Sequence, residues 1–192
     1  MSAITIGGHM PGRRLASFRS GDLNEGAALE LLRPLAFVAP VPRSEDIGFD
    51  AVATLARRES QLFYAGKSFL VQVKSPSEQK VVYVGEDLDW LRALELPLYF
   101  MRADRSRATA ELFAPCNLMR HPNFRDRTKV TFKFNRDRRV IAGDDLEGGM
   151  GEPILAWTSA DLADDALLDT AYEVLRHWVE RDSEAIKIRQ VG

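Results

Sequence analysis

The chain has 192 residues, 45% hydrophobic and 28% charged, with 26 Lys+Arg against 28 Asp+Glu. That composition excludes a disordered or fibrous protein, and the length suits one domain of roughly 100–200 residues. The single cysteine, Cys116, excludes an intramolecular disulfide and any multi-cysteine metal site and fits a reducing, cytoplasmic setting; no apolar run approaches the ~20 residues of a membrane span.

Residues 1–19 read as a tail and 20–192 as a single domain. The first predicted element is a helix from Asp22 to Arg33, with Asp22 and Glu25 in the spacing of a capping box and Pro34 as its stop. Leu35 to Val41 reads as a short strand, and Asp50 to Leu55 as another, followed by a polar stretch from Arg57 to Gln61. Lys67 to Lys74 is the clearest strand: Phe69, Val71 and Val73 share one face, Leu70, Gln72 and Lys74 the other. A short helix is predicted from Glu86 to Leu94, acidic at its start as the helix dipole favours. A buried strand follows from Leu96 to Met101. Thr109 to Phe113 is its hairpin partner across the turn Asp104-Arg105-Ser106-Arg107. Lys129 to Phe134 alternates as a strand, Asp144 to Gly151 reads as a loop, and Asp161 to Ile188 as a long helix. The fold class is therefore α/β: a core over 20–104, a basic extension over 105–143, and an acidic loop with a C-terminal helix over 144–192.

Chemistry concentrates in the first half. Glu25 lies on the first helix, Asp50 opens a strand, and Gln72 and Lys74 leave one strand face two residues apart. Asp50 and the Gln72 side-chain oxygen are hard donors of the kind Mg²⁺ or Mn²⁺ takes, with Glu25 ligating directly or through water. Lys74 supplies a point charge for a phosphate or an attacking water. Taken singly, each residue has a plainer role: Glu25 as a cap partner, Asp46 and Asp50 as turn residues, Gln72 and Lys74 as the wet face of a strand.

The strings Gly21-Asp22-Leu23-Asn24-Glu25, Asp46-Ile47-Gly48-Phe49-Asp50 and Phe69-Leu70-Val71-Gln72-Val73-Lys74-Ser75 together resemble the PD-(D/E)XK nuclease superfamily, in its Mrr-like restriction endonuclease branch and related bacterial domains. The resemblance covers roughly 20–104 and implies a mixed sheet flanked by helices, here extended to a long C-terminal helix. It implies Glu25, Asp50, Gln72 and Lys74 as the active-site set, with Asp50, Gln72 and Glu25 around Mg²⁺ or Mn²⁺. It also implies hydrolysis of DNA phosphodiesters, in restriction or defence. Gln72 departs from the acid usual before the lysine, and one lost negative charge weakens a cation site. The alternative is a catalytically inactive module that keeps the fold and binds nucleic acid or a partner protein. Cutting both strands of a duplex suggests a homodimer, for which the last helix offers a surface.

The near-zero net charge hides an asymmetry. Arg102 to Arg139 holds 11 Lys/Arg against 4 Asp/Glu, a balance of +7, whereas Asp144 to Glu184 holds 12 Asp/Glu against Arg176 and Arg181, a balance of −10. Basic residues interleaved with Phe113, Phe124, Phe132 and Phe134 point to a nucleic-acid backbone, with Arg120, Arg125, Arg127, Lys129 and Lys133 as the expected phosphate contacts. The plainer reading is that the basic and acidic segments fold against each other. His9, His121 and His177 lie far apart, and none has a second His or Cys at ligand spacing.

Overall fold

A computed structural model describes residues 16–42 and 48–191. Among them, four helices, α1 (Ala16–Leu32), α2 (Gly85–Ala93), α3 (Cys116–Met119) and α4 (Asp165–Val191), accompany ten strands. Six of these strands form the central sheet: β1 (Ala36–Pro40), β2 (Ala51–Glu59), β3 (Leu62–Lys74), β5 (Leu98–Asp104), β6 (Thr109–Phe113) and β10 (Leu155–Thr158), in the order β1-β2-β3-β5-β6-β10. β1, β2 and β3 run as an antiparallel meander, and β5 lies parallel to β3 after a connection that contains α2. A second sheet holds β4 (Lys80–Val84), β7 (Lys129–Lys133), β8 (Val140–Ala142) and β9 (Leu146–Gly149), in the order β4-β7-β9-β8.

The alternation along β3 divides the interior into two cores. Phe69 and Val71 pack with Tyr99 and Met101 against Leu29 and Leu32 of α1 and Leu175 and Val179 of α4. Leu70 and Phe100 point the other way, into a core with Leu88 and Leu91 of α2 and Val81, Tyr83, Val130 and Phe132 of the second sheet. The central sheet therefore has two long helices on one face and a helix with a small sheet on the other, an arrangement of layers in which both faces are covered.

Several expectations are corrected. α1 begins at Ala16, so Asp22 lies inside the helix and does not cap it, and the helix runs four residues (16–19) into the segment read as a tail. Ser17, Ser20 and Gly21 are poor helix formers, but local propensity is a weak determinant once a helix is long and docked on one side. The polar stretch 57–61 is the end of a long hairpin: Glu59 pairs with Leu62, and Ser60 takes φ 57° at the turn. The expected loop over 144–151 contains β9, and β4, β8 and β10 lie in segments where the sequence predicted no strand. The β5–β6 turn is as expected, tied by Asp104 Oδ1, which accepts from the Ser106 amide at 2.9 Å and hydroxyl at 2.6 Å. Asp46 and His9 lie outside the described residues.

Candidate functional site

The register of β2 and β3 builds the site. Ala51 pairs with Val71, which sets Asp50, one residue before β2, opposite Gln72. The Asp50 amide donates to the Val71 carbonyl at 2.8 Å, and its Oδ2 accepts from the Val73 amide at 2.6 Å. The carboxylate is thus fixed over the end of β3 by the backbone of the strand that carries Gln72 and Lys74. This hydrogen bond holds the carboxylate, and with it the second oxygen, in place.

The approach to Asp50 is equally constrained. Gly48 has φ 89°, and a Cβ there would meet the Trp90 ring at 3.0 Å. Phe49 stacks on that ring at 6.3 Å, and Tyr83 stacks on it at 6.3 Å. Trp90 of α2 therefore clamps the segment 48–50 against β4. A glycine answers both the left-handed backbone and the close contact.

Tyr83 then reaches the site itself, since its hydroxyl donates to Gln72 Oε1 at 2.8 Å. Burial first, and then the charges of Asp87, Glu78 and Asp50, push the Tyr83 phenol well above its ordinary pKa. The hydroxyl stays protonated, and it reports a locality of negative potential around Gln72. Lys74 is mostly buried, with Nζ 3.9 Å from Glu78 Oε1. Its register neighbour on the parallel strand is Arg102.

Asp50, Gln72 and Lys74 are thus brought together at the carboxyl end of β3. Glu25 is placed differently: α1, which carries it, packs on the face of Phe69 and Val71, opposite the face from which Gln72 and Lys74 leave. Among the described residues no group of three or more His, Cys, Asp and Glu side chains could hold a metal ion. A cation here would be shared between one Asp50 oxygen, the remaining lone pair of Gln72 Oε1, and solvent or phosphate oxygens. That donor set fits a hard divalent ion, which commonly keeps several waters.

The expected phosphate contacts fall in two groups. Arg120 Nη2 donates to Asp182 Oδ1 at 3.1 Å, Lys129 Nζ to Asp145 at 2.7 Å, and Lys133 Nζ to Glu147. The Asp145 carboxylate raises the pKa of Lys129. Arg125 is exposed, and Arg127 is partly buried with its Nε lacking a partner among the described residues. The alternating residues Phe132 and Phe134 are core. Sequence reasoning missed Tyr83, Trp90 and Arg102; the first sits in Lys80-Val81-Val82-Tyr83-Val84, where apolar residues on both faces mask the alternation of a strand. No described helix is long and apolar enough to cross a membrane. Compared with protein-family models, curated proteins and solved structures, the chain matches none.

Proposed function

We propose that the chain is a metal-dependent endonuclease of the PD-(D/E)XK type that hydrolyses DNA phosphodiesters. The observation that carries this reading is the meeting of Asp50, Gln72 and Lys74 at one strand end, with Asp50 fixed by the Val73 amide. The order helix, three-strand meander, helix, parallel strand supports the same reading. Asp50 and Gln72 would hold Mg²⁺ or Mn²⁺, and Glu25, on a helix packed against the opposite sheet face, is given no part in this set. A bound ion would lower the pKa of an attacking water and offset charge on the phosphate. Lys74 would draw the phosphate toward the strand end and orient the attacking water, while the Tyr83 hydroxyl fixes the orientation of the Gln72 amide.

Lys74→Ala is expected to abolish metal-dependent nicking of plasmid DNA while leaving the circular dichroism spectrum unchanged, because Lys74 lies at a strand end outside both cores. An active variant removes Lys74 from the mechanism. A second reading, an inactive nuclease-fold module, is favoured by the internal partners of the same groups: Tyr83 on Gln72 and Glu78 beside Lys74. DNA binding by a wild-type protein that nicks nothing with either ion selects that reading.

A further inference from the structure

A cleft of about 370 Å³ is floored by β5, β6 and β10 and edged by Pro76 and Asp161, with Arg102, the register neighbour of Lys74, in its lining. Registers place Arg102, Glu111 and Ala156 in one row across it and Asp104, Thr109 and Thr158 in the next. The first row continues to Lys74 on β3, so cleft and strand end share one sheet face. Its size falls in the range of small-molecule sites.

Two features of this cleft have no structural explanation of their own. Lys74 and Arg102 are register neighbours on adjacent strands, and like charges so placed repel. Arg102 makes no ion pair among the described residues; its guanidinium lies over Phe134 at 5.1 Å and donates to the Pro76 carbonyl, and its buried Nε has no partner. Glu111 stands opposite Arg102 on β6, yet its side chain makes neither a hydrogen bond nor an ion pair among the described residues. A half-buried cation and anion that stand side by side on one cleft floor without pairing suit a ligand carrying both an anion and a donor.

We propose that this cleft is a nucleotide subsite for a strand of DNA with an amine-bearing base. Arg102 holds its phosphate at the side of the cleft nearest Lys74, and Glu111 accepts from the exocyclic amine, as a carboxylate does from cytosine N4. The class of ligand rests on the nuclease reading, but the subsite needs neither metal nor cleavage to be observed.

The test is fluorescence anisotropy of labelled single-stranded oligodeoxycytidylate and oligothymidylate, in EDTA, across a salt series. Wild type is expected to bind the cytosine strand more tightly. Arg102→Met, which keeps an apolar stem over Phe134, should weaken both by about tenfold and lower the salt slope by about 0.7. Glu111→Ala should abolish the cytosine preference without weakening the thymine strand, and it breaks no hydrogen bond or ion pair among the described residues, so this arm stands even where Arg102→Met fails to fold. No cytosine preference in wild type, or one that survives Glu111→Ala, overturns the subsite, as does a folded Arg102→Met protein with wild-type affinity and slope. Plasmid nicking with Mg²⁺ and with Mn²⁺ is read separately. Nicking without these binding effects overturns the subsite alone, and the binding effects without nicking support the subsite while ending the nuclease reading.

Discussion

At Gln72 a neutral amide oxygen stands beside Asp50 where a carboxylate would add a full charge. Gln72→Glu keeps the shape of the side chain and still accepts the Tyr83 hydroxyl, now as a charge-assisted hydrogen bond. The added charge sits near Asp50 and in the negative locality that Glu78 and Asp87 impose on Tyr83, so it is expected to lower the melting temperature without metal. Mg²⁺ or Mn²⁺ should reverse that loss and give the variant a larger metal-induced rise than wild type. Titrating each ion against thermal unfolding of both proteins checks this, and no response from wild type, the variant or Asp50→Ala eliminates the cation site. Tyr83 adds a pH dependence of known sign. Its phenol titrates higher in the fold than the ~10 of an unfolded chain, so its contribution to stability is complete below about pH 10 and falls as pH rises beyond it. Tyr83→Phe should therefore lose less stability than wild type between about pH 9 and pH 11, measured by urea unfolding.

α4 docks on the sheet through the apolar face of Leu175 and Val179 and through one buried carboxylate. Asp182 is 6% exposed; its Oδ2 accepts from the Tyr99 hydroxyl at 3.0 Å, and its Oδ1 from Arg120 at 3.1 Å and Arg181 at 3.0 Å. Asp182→Ala would deprive the buried Tyr99 hydroxyl and two half-exposed guanidinium groups of this acceptor, at a cost of about 1–3 kcal/mol in urea unfolding. Asp182→Asn, which keeps an acceptor, should cost less. Elements with one clear period were legible in the sequence: the 69–74 alternation gave β3 and its two faces, and the acidic start of α2 gave its position. Elements whose reason for existing lies elsewhere in the chain were not. β9 reads as a loop because Gly148 and Gly149 suggest one. A Cβ at Gly148 would meet Leu118 at 2.7 Å, and one at Gly149 would collide with the Asp137 carbonyl and Asn135. The glycines mark close approach within a strand, a demand set by neighbours 12 to 30 residues away. Asp50, Gln72 and Lys74 were legible through their order and spacing. The faces of the sheet were needed to separate Glu25's helix from them, and registers were needed to find Arg102.

Across the whole molecule, the +7 and −10 segments are joined by Arg120–Asp182, Lys129–Asp145, Lys133–Glu147 and Arg136–Glu152. Lys129–Asp145, Lys133–Glu147 and Arg136–Glu152 are solvated on both sides, so their contribution to stability is small. Their larger consequence is for the external field: a lysine 2.7 Å from a carboxylate presents a dipole, not a charge, to a distant phosphate. Lys129 and Lys133 face β9 or its approach, and a DNA phosphate reaches them only by displacing Asp145 or Glu147. Arg127 makes no ion pair among the described residues, and its Nε is buried without a partner, so a phosphate there displaces no carboxylate. The double variant Lys129→Ala/Lys133→Ala should leave the slope of log affinity against log salt for duplex DNA unchanged, because no counterion is released at those positions. Arg127→Ala should reduce that slope by about 0.9, the share of one duplex phosphate. Anisotropy with one labelled duplex over a salt series compares the two. The reverse outcome, a slope that falls with the lysines and survives without the arginine, would mean that DNA displaces Asp145 and Glu147, making the acidic segment a competitor for the basic one.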